Sequence, residues 1–127
     1  MAIKIVLADD HQAYREHLRN KLDQEPDMTV VGEAADGQEA IDLMRRLAPD
    51  IVVMDVMMPE MNGIEATRQI AAAFPGVKVL GLSLHDDKQI VDAMRAAGAF
   101  GYLLKNQPFT ELTGAIRAVA AGGSYFS

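Results

Sequence analysis

Five short, mainly apolar runs, at residues 3–8, 30–34, 51–54, 77–82 and 102–104, recur along the chain about every 25 residues. Between them the apolar positions change period. Tyr14, Leu18 and Leu22 share one helical face, as do Ala40, Ile41, Met44 and Leu47; Ile64, Thr67, Ile70 and Phe74; Ile90, Val91, Met94 and Ala97; and Leu112, Ile116 and Val119. Residues three or four apart stack on one side of an α-helix, so each set predicts a helix with one buried face. Asp36 with Glu39 and Asn62 with Glu65 have capping-box spacing, while Pro75-Gly76, Gly98 and Gly122-Gly123 stand where the stripes end. The pattern predicts a strand followed by a helix, five times over.

Runs that are apolar at nearly every position and joined by helices belong to a parallel sheet covered on both faces. Five units are too few to close an eight-stranded barrel. The expected fold is therefore α/β, a doubly wound sheet of five parallel strands flanked by five helices. In such a sheet chemistry gathers outside the carboxyl ends of the strands.

Those ends are polar. Asp9 and Asp10 follow the first run, Asp55 the third, Ser83 the fourth and Lys105 the fifth. In DIVVMDVMMPEMNG, residues 50–63, four apolar residues lead into Asp55, with more apolar side chains and no cation behind it. Burying a lone carboxylate costs several kcal/mol or forces it to take up a proton. With the first and third strands side by side, Asp9, Asp10 and Asp55 meet at one edge, and their repulsion requires a hard cation or shared protons. For oxygen ligands, Mg2+ is the better match. Taken singly, each residue has a plainer reading: an Asp9 or Asp10 cap on the first helix, an Asp55 loop cap, a Ser83 turn, an exposed Lys105. Taken together, an acceptor carboxylate, a metal and two donors are the parts for moving a phosphoryl group, with a carboxylate as nucleophile.

Composition narrows the field. At 127 residues and 50% apolar, the chain suits one compact domain. The absence of cysteine excludes disulfides, thiolate metal sites and cysteine nucleophiles. A net charge of −6 without a concentrated basic patch argues against nucleic-acid binding by this chain. No apolar run has the length of a membrane span or signal peptide, so a soluble cytoplasmic protein is expected.

The segments ADDH at 8–11, VVMDVMMPEMNG at 52–63, LS at 82–83 and GAFGYLLK at 98–105, in this order, resemble the receiver domain of two-component response regulators over essentially the whole chain. His11 after the acidic pair, LHDD at 84–87, GYLLK and the closing GGSYFS are similar to the NarL/FixJ branch. The resemblance implies a flavodoxin-like strand order, 2-1-3-4-5. It implies that Asp55 is the phosphoacceptor, and that Asp9, Asp10, Asp55 and the backbone carbonyl of Met57 hold Mg2+. Lys105 would pair with one phosphoryl oxygen and Ser83 with another, and Tyr102 would move between exposed and buried positions as the readout of the switch. The donor would be the phosphohistidine of a sensor histidine kinase or a phosphotransfer protein. Such a chain is a signalling switch, not a metabolic enzyme; it catalyses only its own phosphorylation and dephosphorylation. Residues 1–127 form a single receiver domain on this reading, with a helix-turn-helix output domain expected beyond it to control transcription. A stand-alone receiver acting through protein contacts is the alternative, and a homodimer through the alanine-rich fifth helix stays open.

Three positions depart from the commonest receiver pattern. Asn106 stands where many receivers carry proline, Leu84 is large where a small residue is common, and Met57 has no group to orient an attacking water. Leu84 is expected to narrow the site and Met57 to lengthen the life of the phosphoryl group. His11, His17 and His85 lack metal-ligand spacing and read as capping or surface residues, with His11 placed to modulate the acidic pair. Met57, Met58 and Met61 read as an apolar loop. A Mg2+-dependent aspartyl phosphohydrolase is the rival enzyme reading; haloacid-dehalogenase-like enzymes carry a D-x-D arrangement after the first strand, whereas here the aspartates are adjacent. Neither G-x-x-x-x-G-K-[ST] nor G-x-G-x-x-G occurs, which disfavours a nucleotide carrier.

Overall fold

A computed structural model describes residues 2–126. One parallel sheet contains β1 (Ile3–Ala8), β2 (Met28–Ala34), β3 (Ile51–Asp55), β4 (Lys78–Ser83), β5 (Gly101–Leu104) and β6 (Tyr125–Phe126), in the order β2-β1-β3-β4-β5-β6. The helices are α1 (Gln12–Leu22), α2 (Gly37–Leu47), α3 (Gly63–Ala73), α4 (Lys88–Ala97) and α5 (Phe109–Ala120). Each lies where the helical period places it.

The apolar strands split their side chains between two layers, as the two-residue repeat of a strand requires. Val6, Ala8, Val52, Met54, Val79 and Tyr102 face a core completed by Ala40, Ile41 and Met44 of α2, Ala66 and Ile70 of α3, and Met94 of α4. Ile5, Leu7, Ile51, Val53, Leu80, Leu82 and Leu103 face a second core under α1 and α5. Burying each such side chain contributes about 1.5–3 kcal/mol, and the central strand β3 is buried and apolar from Ile51 to Met54, up to Asp55 at its end. Two helix starts are fixed by capping: Asp36 accepts a hydrogen bond from the Glu39 amide at 2.9 Å, and Asn62 from the Glu65 amide at 3.0 Å.

The sheet has six strands where the sequence predicts five. Two residues, Tyr125 and Phe126, pair with Gly101 and Tyr102, and so short a run carries no readable alternation. Gly101 makes the pairing possible, since a Cβ there would stand 2.4 Å from Leu80 Cδ1 and 2.7 Å from the Tyr125 carbonyl oxygen. The Tyr125 phenol donates to the Glu111 carboxylate, and the Arg95 guanidinium lies 4.1 Å from the Phe126 ring centroid. No helix among the described residues is long and apolar enough to cross a membrane.

Candidate functional site

The carboxyl ends of β1, β3, β4 and β5 converge, and the order of the strands puts β3 between β1 and β4. Asp55 closes β3 and is 4% exposed. Its Oδ1 accepts a hydrogen bond from the Met57 amide at 3.2 Å. The loop behind it folds back tightly: the Gly63 amide donates to the Val56 carbonyl at 2.8 Å, and a Cβ on Gly63 would lie 2.3 Å from the Asp55 carbonyl oxygen. Burial pushes the Asp55 carboxyl above the usual carboxylate range; Lys105 opposes the shift and Asp9 adds to it.

Asp9 is 5% exposed and is held by its amide, which donates to the Ala34 carbonyl at 2.9 Å. Lys105 Nζ lies 2.7 Å from Asp9 Oδ2 and 3.4 Å from Asp55 Oδ2. Lys105, directly after β5, is thus sunk between two carboxylates, where its plainer reading has it in solvent. Asp10 is solvent-facing at the rim. Donor atoms of Asp9, Asp10, His11 and Asp55 all lie within 4.8 Å of one another. Three carboxylates facing one ammonium leave the cluster short of positive charge, and the open side at Asp10 leaves room for the waters that Mg2+ keeps. The residues fit that ion.

Ser83 is fully buried, and its Oγ accepts a hydrogen bond from the His85 amide at 3.1 Å. Its carbonyl accepts from the Lys105 amide at 2.8 Å, so the backbone sets these two residues side by side. Tyr102 is fully buried, and its phenol donates to the His85 carbonyl; burial pushes that phenol up, with Asp87, Asp55 and Asp86 adding to the rise and the hydrogen bond with Ser83 opposing it. His11, Asp55, Met57, Ser83, Leu84, His85 and Lys105 line an open cavity of about 90 Å³. Leu84, 70% exposed, rims this cavity without filling it, and Met57 is 55% exposed at the same mouth. Met58 is buried instead, so the methionine loop divides between rim and core.

The family model described as "Response regulator receiver domain" matches residues 5–117. The chain belongs to that family. It is 45% identical over 123 residues to the transcriptional regulatory protein DegU of Brevibacillus brevis, covering 97% of this chain and 52% of that protein. A LuxR-family two-component response regulator from Aurantimonas sp. SI85-9A1 superposes with a TM-score of 0.94 at 39% identity, over 98% of this chain and 89% of the other. The isolated receiver domain of RcsB from Salmonella enterica serovar Typhimurium, solved in the presence of the phosphomimetic BeF3-, gives a TM-score of 0.91 at 25% identity, over 100% of this chain and 94% of the other. These relatives agree with the NarL/FixJ-like branch. The receiver spans about half the length of the curated relative it matches.

Sequence reasoning missed part of what holds this receiver's acidic cluster. Arg15 Nη1 donates to the Asp9 carbonyl, and its Nε meets Glu33 Oε1 at 2.9 Å. Arg19 also binds Glu33, and although burial pushes the Glu33 carboxyl up, the two guanidinium bonds outweigh it and hold the group below its usual range. Arg15 and Arg19 stand four apart on α1, a spacing that shows a shared face but not its partner on β2. His11 occupies the first capping position of α1 without a side-chain cap bond. Its Nδ1 instead lies 3.2 Å from Asp9 Oδ1 and 3.4 Å from Asp10 Oδ1. Tyr14, read only as the start of an apolar stripe, faces the Lys105 ammonium. His17 and His85 are exposed, as expected for surface residues.

Proposed function

We propose that this receiver takes a phosphoryl group from a phosphohistidine of a sensor histidine kinase or phosphotransfer protein onto Asp55, and changes conformation to control an output. The observation that carries this reading is the buried Asp55 carboxylate, 3.4 Å from the Lys105 ammonium at the end of the central strand. One Asp55 oxygen forms the new O–P bond as the N–P bond of the donor breaks, and the imidazole leaves with a proton from solvent. Asp9, Asp10, Asp55 and the Met57 carbonyl would hold Mg2+, which would supply positive charge to neutralise the transferring oxygens.

The chain's own residues do the rest. The Lys105 ammonium turns from Asp9 toward a phosphoryl oxygen, which brings it a stronger anion in the same buried setting. The Ser83 hydroxyl donates to a second oxygen, which draws on the loop whose His85 amide it now binds. Because Tyr102 is bonded to the His85 carbonyl, a shift of that loop reaches β5. Each of these bonds exists in one state only, the condition for a ligand to bias a two-state element.

Relatives about twice as long and named as transcriptional regulators support an output in transcription through a DNA-binding domain that follows the receiver. A cytoplasmic location suits a partner of this kind. Intact-mass measurement after incubation with acetyl phosphate and Mg2+ tests the assignment. Wild type gains one phosphoryl mass and Asp55→Ala gains none; a gain in both overturns Asp55 as acceptor. With an apolar, half-exposed Met57 at the mouth, whose side chain has no group to aim a water, the label persists; rapid loss from the isolated protein in Mg2+ contradicts this.

A further inference from the structure

The Lys105 ammonium has a neighbour that phosphoryl binding does not explain. Its Nζ lies 4.7 Å from the ring centroid of Tyr14, within the range of a cation held by an aromatic face. The Lys105 side chain is 7% exposed. Tyr14 is half-buried in the first turn of α1, packed against the core under α1 and α5, and it borders a small cavity together with Asp9 and Asp55.

Lysine has one of the most mobile side chains, so an ammonium fixed at one point needs partners that stay with it. The carboxylates do not stay. Phosphorylation converts Asp55 into an acyl phosphate, and a divalent cation competes for Asp9. The Tyr14 ring is the partner that neither event alters. Burial, then Asp9 and Asp55, push its phenol up to about 12, so the ring remains neutral at physiological pH and meets the ammonium with its face.

We propose that Tyr14 is a positioning residue for Lys105: its ring face holds the ammonium at the strand ends while the carboxylate partners change, and so sets the rate at which Asp55 gains its phosphoryl group. This rests on the reading of Asp55 as the phosphoacceptor.

The test follows phosphoryl uptake from acetyl phosphate with Mg2+ by intact mass in wild type, Tyr14→Phe, Tyr14→Leu, Lys105→Met and the double variant Tyr14→Leu/Lys105→Met. Tyr14→Phe keeps the ring face and stays within about twofold of wild type, whereas Tyr14→Leu, apolar but without a ring face, slows uptake about fivefold to thirtyfold. The double variant is no slower than Lys105→Met, because the ring acts through the lysine. Tyr14→Leu at the wild-type rate, Tyr14→Phe as slow as Tyr14→Leu, or additive losses in the double variant each overturn the proposal. If Tyr14→Leu does not fold, Tyr14→Met takes its place. Proton NMR of the Lys105 side chain gives a second readout that needs no phosphorylation. Its terminal protons are shifted upfield by the ring in wild type and Tyr14→Phe; their absence from that region overturns the proposal even where uptake by wild type fails and Asp55 itself is reassigned.

Discussion

The phenol of Tyr102 donates a hydrogen bond to the main-chain carbonyl of His85, which ties the middle of β5 to the loop beyond Ser83. Removing the hydroxyl leaves that carbonyl without this donor while the ring still fills its core position. Tyr102→Phe is expected to lose about 0.5–1.5 kcal/mol of stability in urea unfolding, and the amides of residues 84–87 are expected to exchange faster with solvent. Unchanged exchange in that loop contradicts the tie.

Lys105 is the one cation placed between Asp9 and Asp55 among the described residues. Lys105→Met keeps much of the stem but leaves two buried carboxylates facing each other. Without divalent cations the variant is expected to unfold about 1–3 kcal/mol more easily than wild type at pH 7. Added Mg2+ recovers more stability in the variant than in wild type, since the ion replaces the missing charge. Equal Mg2+ responses in urea titrations count against this account.

Asp55 gives the pH dependence a sign. Burial raises its carboxyl in the folded state, so the folded protein holds that proton more tightly than the unfolded chain does. The resulting stability is present below the unfolded value, about pH 4 for an aspartate, and is lost as pH rises through the folded one. At pH 7 without metal, Asp55→Asn is therefore expected to resist urea better than wild type, with the gap narrowing toward pH 4. A gap that widens in acid reverses the sign and removes the argument.

Gly63 and Gly114 should respond oppositely to alanine. A Cβ at Gly63 meets the Asp55 carbonyl oxygen at 2.3 Å and Val56 Cα at 2.7 Å, both backbone atoms that cannot step aside. Gly63→Ala is expected to cost about 1–3 kcal/mol and to slow phosphorylation by displacing Asp55. Gly114, exposed within α5, has nothing within 4 Å, so Gly114→Ala is expected to add about 0.5–1 kcal/mol. Thermal unfolding of the two variants side by side tests both.

How much could be read beforehand depended on whether a residue interrupts a pattern or merely joins one. Asp9, Asp55, Ser83 and Lys105 each break an apolar run, and a polar residue in that place announces itself. Val6 and Ile5 could be assigned to opposite faces from the strand period alone. Tyr14 belongs to a stripe with Leu18 and Leu22, so nothing in the sequence separates its contact with Lys105 from ordinary packing. The Arg15 bond to the Asp9 carbonyl and the Arg15–Glu33 pair depend on the spacing between α1 and β2, which only the folded chain fixes. Tyr125 and Phe126 were too few to display a period, and Gly101 became informative only once the Tyr125 carbonyl was seen beside it.

Those last two residues also bear on how the protein behaves in company. A parallel sheet that stops at an uncovered strand offers a row of unpaired amides and carbonyls to any chain that passes. By laying Tyr125 and Phe126 along Gly101 and Tyr102, the protein closes part of that border with its own chain. Phe126→Ser, which weakens the covering segment, should first show itself as self-association in concentrated solution, seen by light scattering, while the cores on either side of the sheet remain folded.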